Sequence, residues 1–163
     1  LVDNPGLVAS MEWHAQEFAS RTGISVVWRL RDQPSSRHAS LEQADVRIAV
    51  FRIFQHILTN VERHAHATAV QLTVRRIGTS LLVEVRDNGR GITALEIADS
   101  QSLGLIEMRE LAFLFGGSLS IEGEPGRGTA VLLEIPMTAC MRKIQSGRRT
   151  KSKTGAMEQA LVV

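Results

Sequence analysis

Aromatic residues, cysteine and proline are all scarce in this sequence. Only 4% of its 163 residues are aromatic and none is tyrosine, so aliphatic side chains must fill the core. The single cysteine, Cys140, excludes an internal disulfide framework and a cysteine zinc site. No stretch approaches the roughly 20 consecutive apolar residues that a membrane helix needs. We therefore expect a cytoplasmic domain, of a parent protein that can itself be membrane-bound, and no membrane contact by this fragment.

Basic residues are concentrated at the C-terminal end and do not indicate a nucleic-acid partner. The segment 137–163 contains six Lys and Arg residues against one acid, Glu158, which gives it a charge of +5. Because the whole chain has a net charge of +2, residues 1–136 carry −3. A domain with a net negative charge binds the phosphate backbone of a nucleic acid poorly. The segment 137–163 is rich in Ser, Thr, Gly and Lys, and we expect it to be a disordered basic tail.

Hydrophobic periodicity predicts three helices and five strands. Apolar residues recur at helical spacing in residues 7–18, 46–64 and 105–115. They alternate with polar residues in residues 24–30, 70–74, 81–85, 118–122 and 129–135. Ser40 and Gln43 form a capping box before the longest helix, whose apolar stripe is predicted to run from Val46 to His64. The order α-β-α-β-β-α-β-β indicates an α/β (α+β) two-layer sandwich, with one mixed sheet and helices on one face.

The first candidate site is a polar group on the long helix, made of His56, Asn60, Arg63 and His64. Spacings of three and four place these side chains on or near one helix face. An Asn amide oxygen is a suitable neutral ligand for Mg²⁺, and cationic neighbours one turn away can meet phosphate oxygens. Taken alone, the pattern is more typical of a solvated polar face with His64 partly buried.

The second candidate is the glycine-rich segment 87–91, which directly follows a predicted strand. A buried Asp87 carboxylate only accepts hydrogen bonds, so it can hold the exocyclic amine of adenine and repel the carbonyl of guanine. Gly89 and Gly91 allow the backbone to approach a flat ring closely. An ordinary strand-ending turn would have the same composition.

A third candidate pairs the segment 102–105 with the turn 126–129. Gly104 is predicted to lie where a helix begins, and the free N–H groups at a helix start favour phosphate. Thr129 opens a strand and can donate its hydroxyl into a pocket. Taken by itself, the segment 102–105 is more simply explained as a helix cap. The segment 126–129 is more simply explained as a hairpin turn.

In combination, the motifs resemble the ATPase/kinase superfamily shared by gyrase, the large heat-shock chaperones and histidine kinases. Within it, the sequence is similar to sensor histidine kinases of the nitrate-sensor type. Residues 54–65 resemble the N box of that group, residues 87–92 its first glycine box and residues 103–110 its second glycine box. Residues 125–129 match the region of the closing strands in that group. Residues 7–24 resemble the stretch that leads out of the dimerisation helices.

The resemblance implies a Bergerat-type ATP-binding fold with ATP and Mg²⁺ as ligands. It gives Asn60 the role of a Mg²⁺ ligand and Asp87 that of the adenine acceptor. It also places five residues near the phosphates. Two of them follow Asn60 and three precede or begin the last long helix: Arg63, His64, Ser102, Gly104 and Leu105. It assigns others to the adenine pocket: Gly89, Gly91, Ile92 and Thr129. Residues 93–103 would form a short ATP lid, in which Thr93 and Glu96 can cap one helical turn.

Two positions depart from the family's pattern. His56 stands where the group usually has a glutamate, which is thought to orient or activate the attacking group. A histidine can accept a proton, but it does not help to hold Mg²⁺ as a carboxylate can. Ser102 stands where a glycine is usual. These two departures motivate one alternative, a nucleotide-binding module with weak or no kinase activity. A serine kinase of the anti-sigma type is a further alternative, against which the resemblance of residues 7–24 argues.

The phosphoacceptor histidine expected of such a kinase is absent from this chain. None of the five histidines lies in a His-Asp context on a dimerisation helix. We therefore expect residues 1–23 to be the exit helix of a missing dimerisation module and residues 24–136 to be the ATP-binding domain, followed by the tail 137–163. The expected partners are the histidine-bearing dimerisation domain and the receiver domain of a response regulator.

Overall fold

The computed structural model describes residues 6–31, 44–98 and 103–136. Its elements follow the predicted order, with one short helix, α3, added before the last long helix. They are α1 (Leu7–Thr22), β1 (Ser25–Arg31), α2 (Ala44–Asn60), a π-helical turn (Val61–Ala65), β2 (Ala69–Ile77), β3 (Ser80–Asp87), α3 (Ala94–Ala98), α4 (Leu103–Leu114), β4 (Ser118–Glu124) and β5 (Gly128–Pro136).

Five strands form one mixed sheet in the order β1-β2-β3-β5-β4. The outer strand β1 is parallel to β2, and all other neighbours are antiparallel. Because side chains alternate along a strand, Val83 and Val85 share a face with the buried valines of β2, whereas Glu84 projects from the opposite face. Asp87 falls on the same alternation as Val83 and Val85, so it lies on the helix-facing side at the end of β3.

Three helices bury their apolar stripes on this face of the sheet. The fully buried side chains include Phe18 of α1, Phe54 of α2 and Met108 of α4, and they form one core with the valines and leucines of the strands. Burial of each large side chain stabilises the fold by roughly 1.5–3 kcal/mol. The predicted two-layer sandwich is confirmed. No helix among the described residues is long and apolar enough to cross a membrane.

The end of the second helix differs from the predicted stripe. Its apolar face is buried from Val46 to Val61, but the next buried residue is Ala65, and His64 is exposed. The wider π-helical turn takes more residues per turn, so Ala65 rather than His64 returns to the core side. The predicted continuation of the stripe to His64 was therefore wrong. The predicted capping box at Ser40 and the predicted tail lie outside the described residues.

Candidate nucleotide-binding site

A cavity of about 400 Å³ lies between α2, α4 and the ends of β3 and β5. This volume is typical of small-molecule sites. Most of its wall is apolar and comes from both helices and the sheet: Ile57, Val61, Val85, Ile92, Leu105, Met108, Ile121 and Val131. A few polar residues complete the lining: Asn60, His64, Asp87, Arg90, Glu96 and Thr129. The composition favours a ligand with a largely apolar part and a small number of fixed polar contacts.

Asp87 is held in a fixed orientation at one end of the cavity. Its Oδ1 accepts hydrogen bonds from the backbone N–H groups of Gly89, at 2.8 Å, and Thr129, at 3.3 Å. Among the described residues, no donor reaches its Oδ2. A half-buried carboxylate with one oxygen occupied by the backbone therefore leaves its other oxygen available for a donor group on a ligand.

The neighbouring residues of the glycine-rich segment anchor it to the rest of the domain. Asn88 faces β2, where its Oδ1 accepts hydrogen bonds from the N–H groups of Thr68 and Ala69, both at 2.9 Å. Gly89 lies against the π-helical turn, and a Cβ added there would be 2.0 Å from the carbonyl oxygen of Ala65. Side chains at this position are therefore excluded by the backbone of the π-helical turn that follows Asn60.

The last residue of α2 and the first turn of α4 also line the cavity. Asn60 is the last residue of α2, and its amide makes no hydrogen bond within the described part of the chain. Gly104 and Leu105 belong to the first turn of α4, whose backbone N–H groups have no partners within the helix. Partial positive charge at a helix start favours phosphate, so this part of the wall is suited to an anionic group.

The structure brings most of the predicted site residues to one cavity. Those that line it are Asn60, His64, Asp87, Gly91, Ile92, Gly104, Leu105 and Thr129. Three others, His56, Arg63 and Gly89, are not part of the wall. The ring of His56 points towards α4, where its Nδ1 is 4.0 Å from Oε2 of Glu107. Ser102 lies outside the described residues, and its predicted role stays a prediction.

Sequence analysis assigned no role to Arg90 and only a capping role to Glu96, yet both line the cavity. The guanidinium of Arg90 contacts the Glu96 carboxylate at 2.9 Å, and Glu96 caps α3 by accepting hydrogen bonds from Thr93. The hydrogen bond from the Thr93 N–H and that from Arg90 lower the pKa of Glu96 to about 2. The predicted capping of a helical turn by Thr93 and Glu96 is confirmed. A charged residue between two glycines was the available signal for Arg90.

Comparison with known proteins assigns this site to a family. Residues 45–139 match the family described as histidine kinase-, DNA gyrase B-, and HSP90-like ATPase. The chain belongs to this ATPase family. The match covers α2, the glycine-rich segment, α4 and the closing strands, so it includes every element that lines the cavity.

Similar members of the ATPase family are histidine kinases. The chain is 30% identical over 139 residues to the signal transduction histidine-protein kinase/phosphatase DegS of Brevibacillus brevis, covering 84% of this chain and 34% of DegS. It is 28% identical over 137 residues to the oxygen sensor histidine kinase NreB of Staphylococcus carnosus, covering 84% of this chain and 38% of NreB. The chain thus spans little more than a third of the length of these curated relatives.

Solved structures of histidine kinases share the fold of this ATPase domain. The blue-light activated histidine kinase of Erythrobacter litoralis superposes with a TM-score of 0.64 at 23% identity, covering 81% of this chain and 42% of that one. The catalytic domain of the histidine kinase ThkA gives a TM-score of 0.64 at 18% identity, covering 82% of this chain and 93% of that one. The predicted fold is therefore confirmed independently.

Proposed function

We propose that this chain is the part of a sensor histidine kinase that binds Mg²⁺-ATP and delivers its γ-phosphoryl group. The acceptor would be a histidine on a dimerisation domain outside this chain, and a response regulator would then receive the phosphoryl group on an aspartate. The parent protein would carry this domain in the cytoplasm. The observation that carries the proposal is the orientation of Asp87 at the end of an apolar cavity in an ATPase-family domain.

Adenine fits the Asp87 end of the cavity for chemical reasons. Its exocyclic amine is a donor, and Oδ2 of Asp87 is an acceptor without a partner among the described residues. The Thr129 hydroxyl makes no hydrogen bond within the same part of the chain, and the backbone N–H of the same residue donates to Asp87. Guanine would present a carbonyl to the carboxylate, which leaves two acceptors opposed. Apolar residues such as Val85 and Met108 would cover the ring faces.

Magnesium would be held mainly by the phosphates, with Asn60 as the protein ligand. Within the described residues, no three His, Cys, Asp or Glu side chains form a metal-binding group. This fits Mg²⁺, which usually retains water and substrate oxygens and takes few ligands from the protein. When bound, the ion would neutralise charge that develops on the transferred group. Asn60 would orient the phosphates, while the first turn of α4 would offer its N–H groups to them.

A second candidate function, a nucleotide-binding module with weak kinase activity, is favoured by the surroundings of His56. This residue lies one turn before Asn60, its side chain is 42% exposed, and it faces Glu107 rather than the cavity. Replacing His56 by Glu tests this alternative. A sharp rise in phosphoryl transfer to a supplied acceptor, with unchanged ATP affinity, would support the weakened module. An unchanged or lower rate would favour the full kinase.

Calorimetric titration with ATP, ADP and GTP, with and without Mg²⁺, tests the proposed site directly. We expect adenine nucleotides to bind and GTP not to bind. Asp87→Ala should reduce ATP affinity by at least tenfold, because it removes a hydrogen bond to a charged acceptor of about 1.5–3 kcal/mol. Glu84→Ala, on the opposite face of the same strand, is the matched control and should leave ATP affinity unchanged. Equal affinity for ATP and GTP would contradict the proposal.

A further inference from the structure

A second cavity, an open groove of about 790 Å³, lies between the N-terminal parts of α1 and α2 and shares no lining residue with the nucleotide cavity. Most of its wall is apolar, with Leu7 and Trp13 from α1 and Ile48 and Phe51 from α2. Trp13 is 67% exposed and Ile48 is 53% exposed, so two large apolar residues of the groove face solvent. Large apolar residues exposed together are typical of an interaction surface.

The charges around this groove are of one sign. Arg47 and Arg52 also line it, and its described lining residues include no Asp or Glu. Tryptophan and arginine are the residues that most often anchor binding surfaces. A groove between two helices with apolar walls and a basic rim is suited to a short amphipathic helix that carries an acidic residue.

The groove lies at the end of the sheet opposite the nucleotide cavity. Strands β1 and β2 begin at the cavity end, where Ser25 pairs with Ala69 next to the end of β3 that carries Asp87. Helices α1 and α2 lead into these strands through short connections, so both helices begin at the opposite end. Pro136, the last residue of β5, pairs with Ser80 at that same opposite end. The chain that follows β5 therefore leaves the domain at the end where the groove lies.

The segment 156–163 has the composition that the groove requires. Met157, Ala160 and Leu161 recur at i, i+3 and i+4, which is the spacing of an apolar helix stripe. Glu158, the one acid after β5, is three residues before Leu161 and would flank this stripe. An apolar stripe flanked by a carboxylate is complementary to an apolar groove flanked by two arginines.

Other segments of the chain match the groove less well. The segment 137–144 has apolar residues at helical spacing, but Arg142 and Lys143 would be repelled by the basic rim. The segment 1–5 adjoins the groove and contains an acid, but its two large apolar side chains fill little of such a volume. The segment 32–43 has a single large apolar side chain.

The chain between β5 and the segment 156–163 is long enough to reach the groove. Residues 137–155 form a connection of 19 residues, and a flexible chain of this length has an end-to-end distance of about 22–26 Å. Strand β5 lies three positions from β1 in the sheet, which corresponds to about 14 Å. Such a tether holds a segment near its site at an effective concentration on the order of millimolar, so even a weak contact is populated.

We propose that residues 156–163 dock as a short helix in the groove between α1 and α2, with the apolar stripe on Trp13 and Ile48 and Glu158 near Arg52. Eight residues are too few for a stable isolated helix, so the helix would form on docking. The expected disorder of the tail would then apply to residues 137–155 alone. This docking is independent of the proposed nucleotide function, because the two cavities share no lining residue.

Nitrogen–proton NMR spectra of the full 163-residue chain test the apolar contact. We expect Leu161→Asp to move the indole N–H resonance of Trp13 and to narrow the backbone amide signal of residue 161, because the segment is released. Gln159→Asp makes the same charge change on the opposite side of the predicted helix and should alter neither signal. A Trp13 resonance that is identical in the wild type and in Leu161→Asp would overturn the proposal.

A synthetic peptide of residues 154–163, added to the full chain carrying Leu161→Asp, tests the charge contact. We expect Arg52→Glu to weaken peptide binding by about fivefold, because the reversed charge repels Glu158. Glu158→Arg in the peptide should restore the affinity in that background, so the two changes are not additive. Arg29→Glu, which changes an exposed arginine outside the groove, is the matched control. Equal weakening by Arg52→Glu and Arg29→Glu would contradict the assigned contact.

Two further measurements identify the occupant. If Val2→Asp moved the Trp13 resonance and Leu161→Asp did not, the groove would hold the segment 1–5 and the proposal would be wrong. We expect the Trp13 resonance of the wild type to be independent of protein concentration, since the contact lies within one chain. Loss of the docked signal on dilution would mean that the segment binds a second copy, which would also overturn the proposal. None of these measurements involves nucleotide, so they stand whether or not the chain binds ATP.

Discussion

Glu96 illustrates how neighbouring donors keep an exposed carboxyl group charged. Its Oε2 accepts hydrogen bonds from the N–H and the hydroxyl of Thr93 at 2.8 and 3.0 Å, while Arg90 contacts its other oxygen. All these groups favour the ionised form, and the pKa falls from 4.5 to about 2. The capping box therefore fixes both the start of α3 and the charge state of a residue in the cavity wall.

The acid titration of Glu96 provides a first prediction at this scale. Because the folded-state pKa is lowered, the stabilising contribution is complete above about pH 4.5 and is lost as the pH falls towards 2. Carboxyl-carbon NMR should show the Glu96 midpoint near 2, well below that of an ordinary glutamate. Thr93→Ala removes the hydroxyl donor and should raise this midpoint. A midpoint near 4.5 in both proteins would contradict the hydrogen-bonding pattern.

Single residues of the site differed in how far the sequence could predict them. Asp87, Asn60 and Thr129 belong to motifs whose chemistry is local, and the structure brings all three to one cavity. The pairing of Arg90 with Glu96 was missed because it depends on how α3 folds back over the glycine-rich segment. A spacing of six residues in an irregular segment carries no periodic signal, so only the folded backbone reveals the contact.

At the scale of elements, the connection between β3 and α3 is held in place by the turn between β4 and β5. Gly91 has φ +79°, and a Cβ added there would be 2.0 Å from the carbonyl oxygen of Glu124 and 3.2 Å from that of Gly128. The N–H of Gly126 in turn donates to the carbonyl of Arg90 at 2.7 Å. The turn thus packs against the backbone of the glycine-rich segment and fixes its position.

This packing predicts a large difference between two glycines of similar backbone conformation. Gly91→Ala adds steric overlap with a carbonyl to the strain of a left-handed residue, and should lower the free energy of unfolding by about 3 kcal/mol or more. Gly126 has φ +78° but open space around it, so Gly126→Ala should cost only about 1–2 kcal/mol. Urea unfolding measures both. Equal losses would show that the backbone can shift away from the added methyl group.

The existence and face of each strand could be predicted from alternation, but their spatial order could not. Val83 and Val85 were expected to face a core, and they do. The parallel pairing of β1 with β2 and the insertion of β5 between β3 and β4 depend on contacts far apart in sequence. The π-helical turn was also missed, because a single extra residue in a helical turn leaves the local apolar pattern almost unchanged.

At the scale of the molecule, the chain spans little more than a third of the length of its curated relatives. We therefore expect it to carry out only part of a phosphoryl-transfer reaction by itself. We expect no phosphoryl incorporation when the chain is incubated with radiolabelled ATP, because none of its histidines has the context of a phosphoacceptor. Fusion to histidine-bearing dimerisation helices of a relative should produce acid-labile labelling. The same fusion carrying Asp87→Ala is the control. Stable labelling of the unfused chain would contradict the proposed division of roles.

The segment 6–31 packs onto the core but contributes no side chain to the cavity. Its strand joins the sheet only through parallel pairing of Ser25–Arg31 with Ala69–Arg75, whereas β2 and β3 are joined by a tight turn between Ile77 and Ser80. Because closing the longer loop costs more chain entropy, we expect β1 to dock onto the sheet after β2 and β3 have paired. Amide hydrogens of β1 should accordingly exchange with solvent through partial openings that leave the nucleotide cavity assembled.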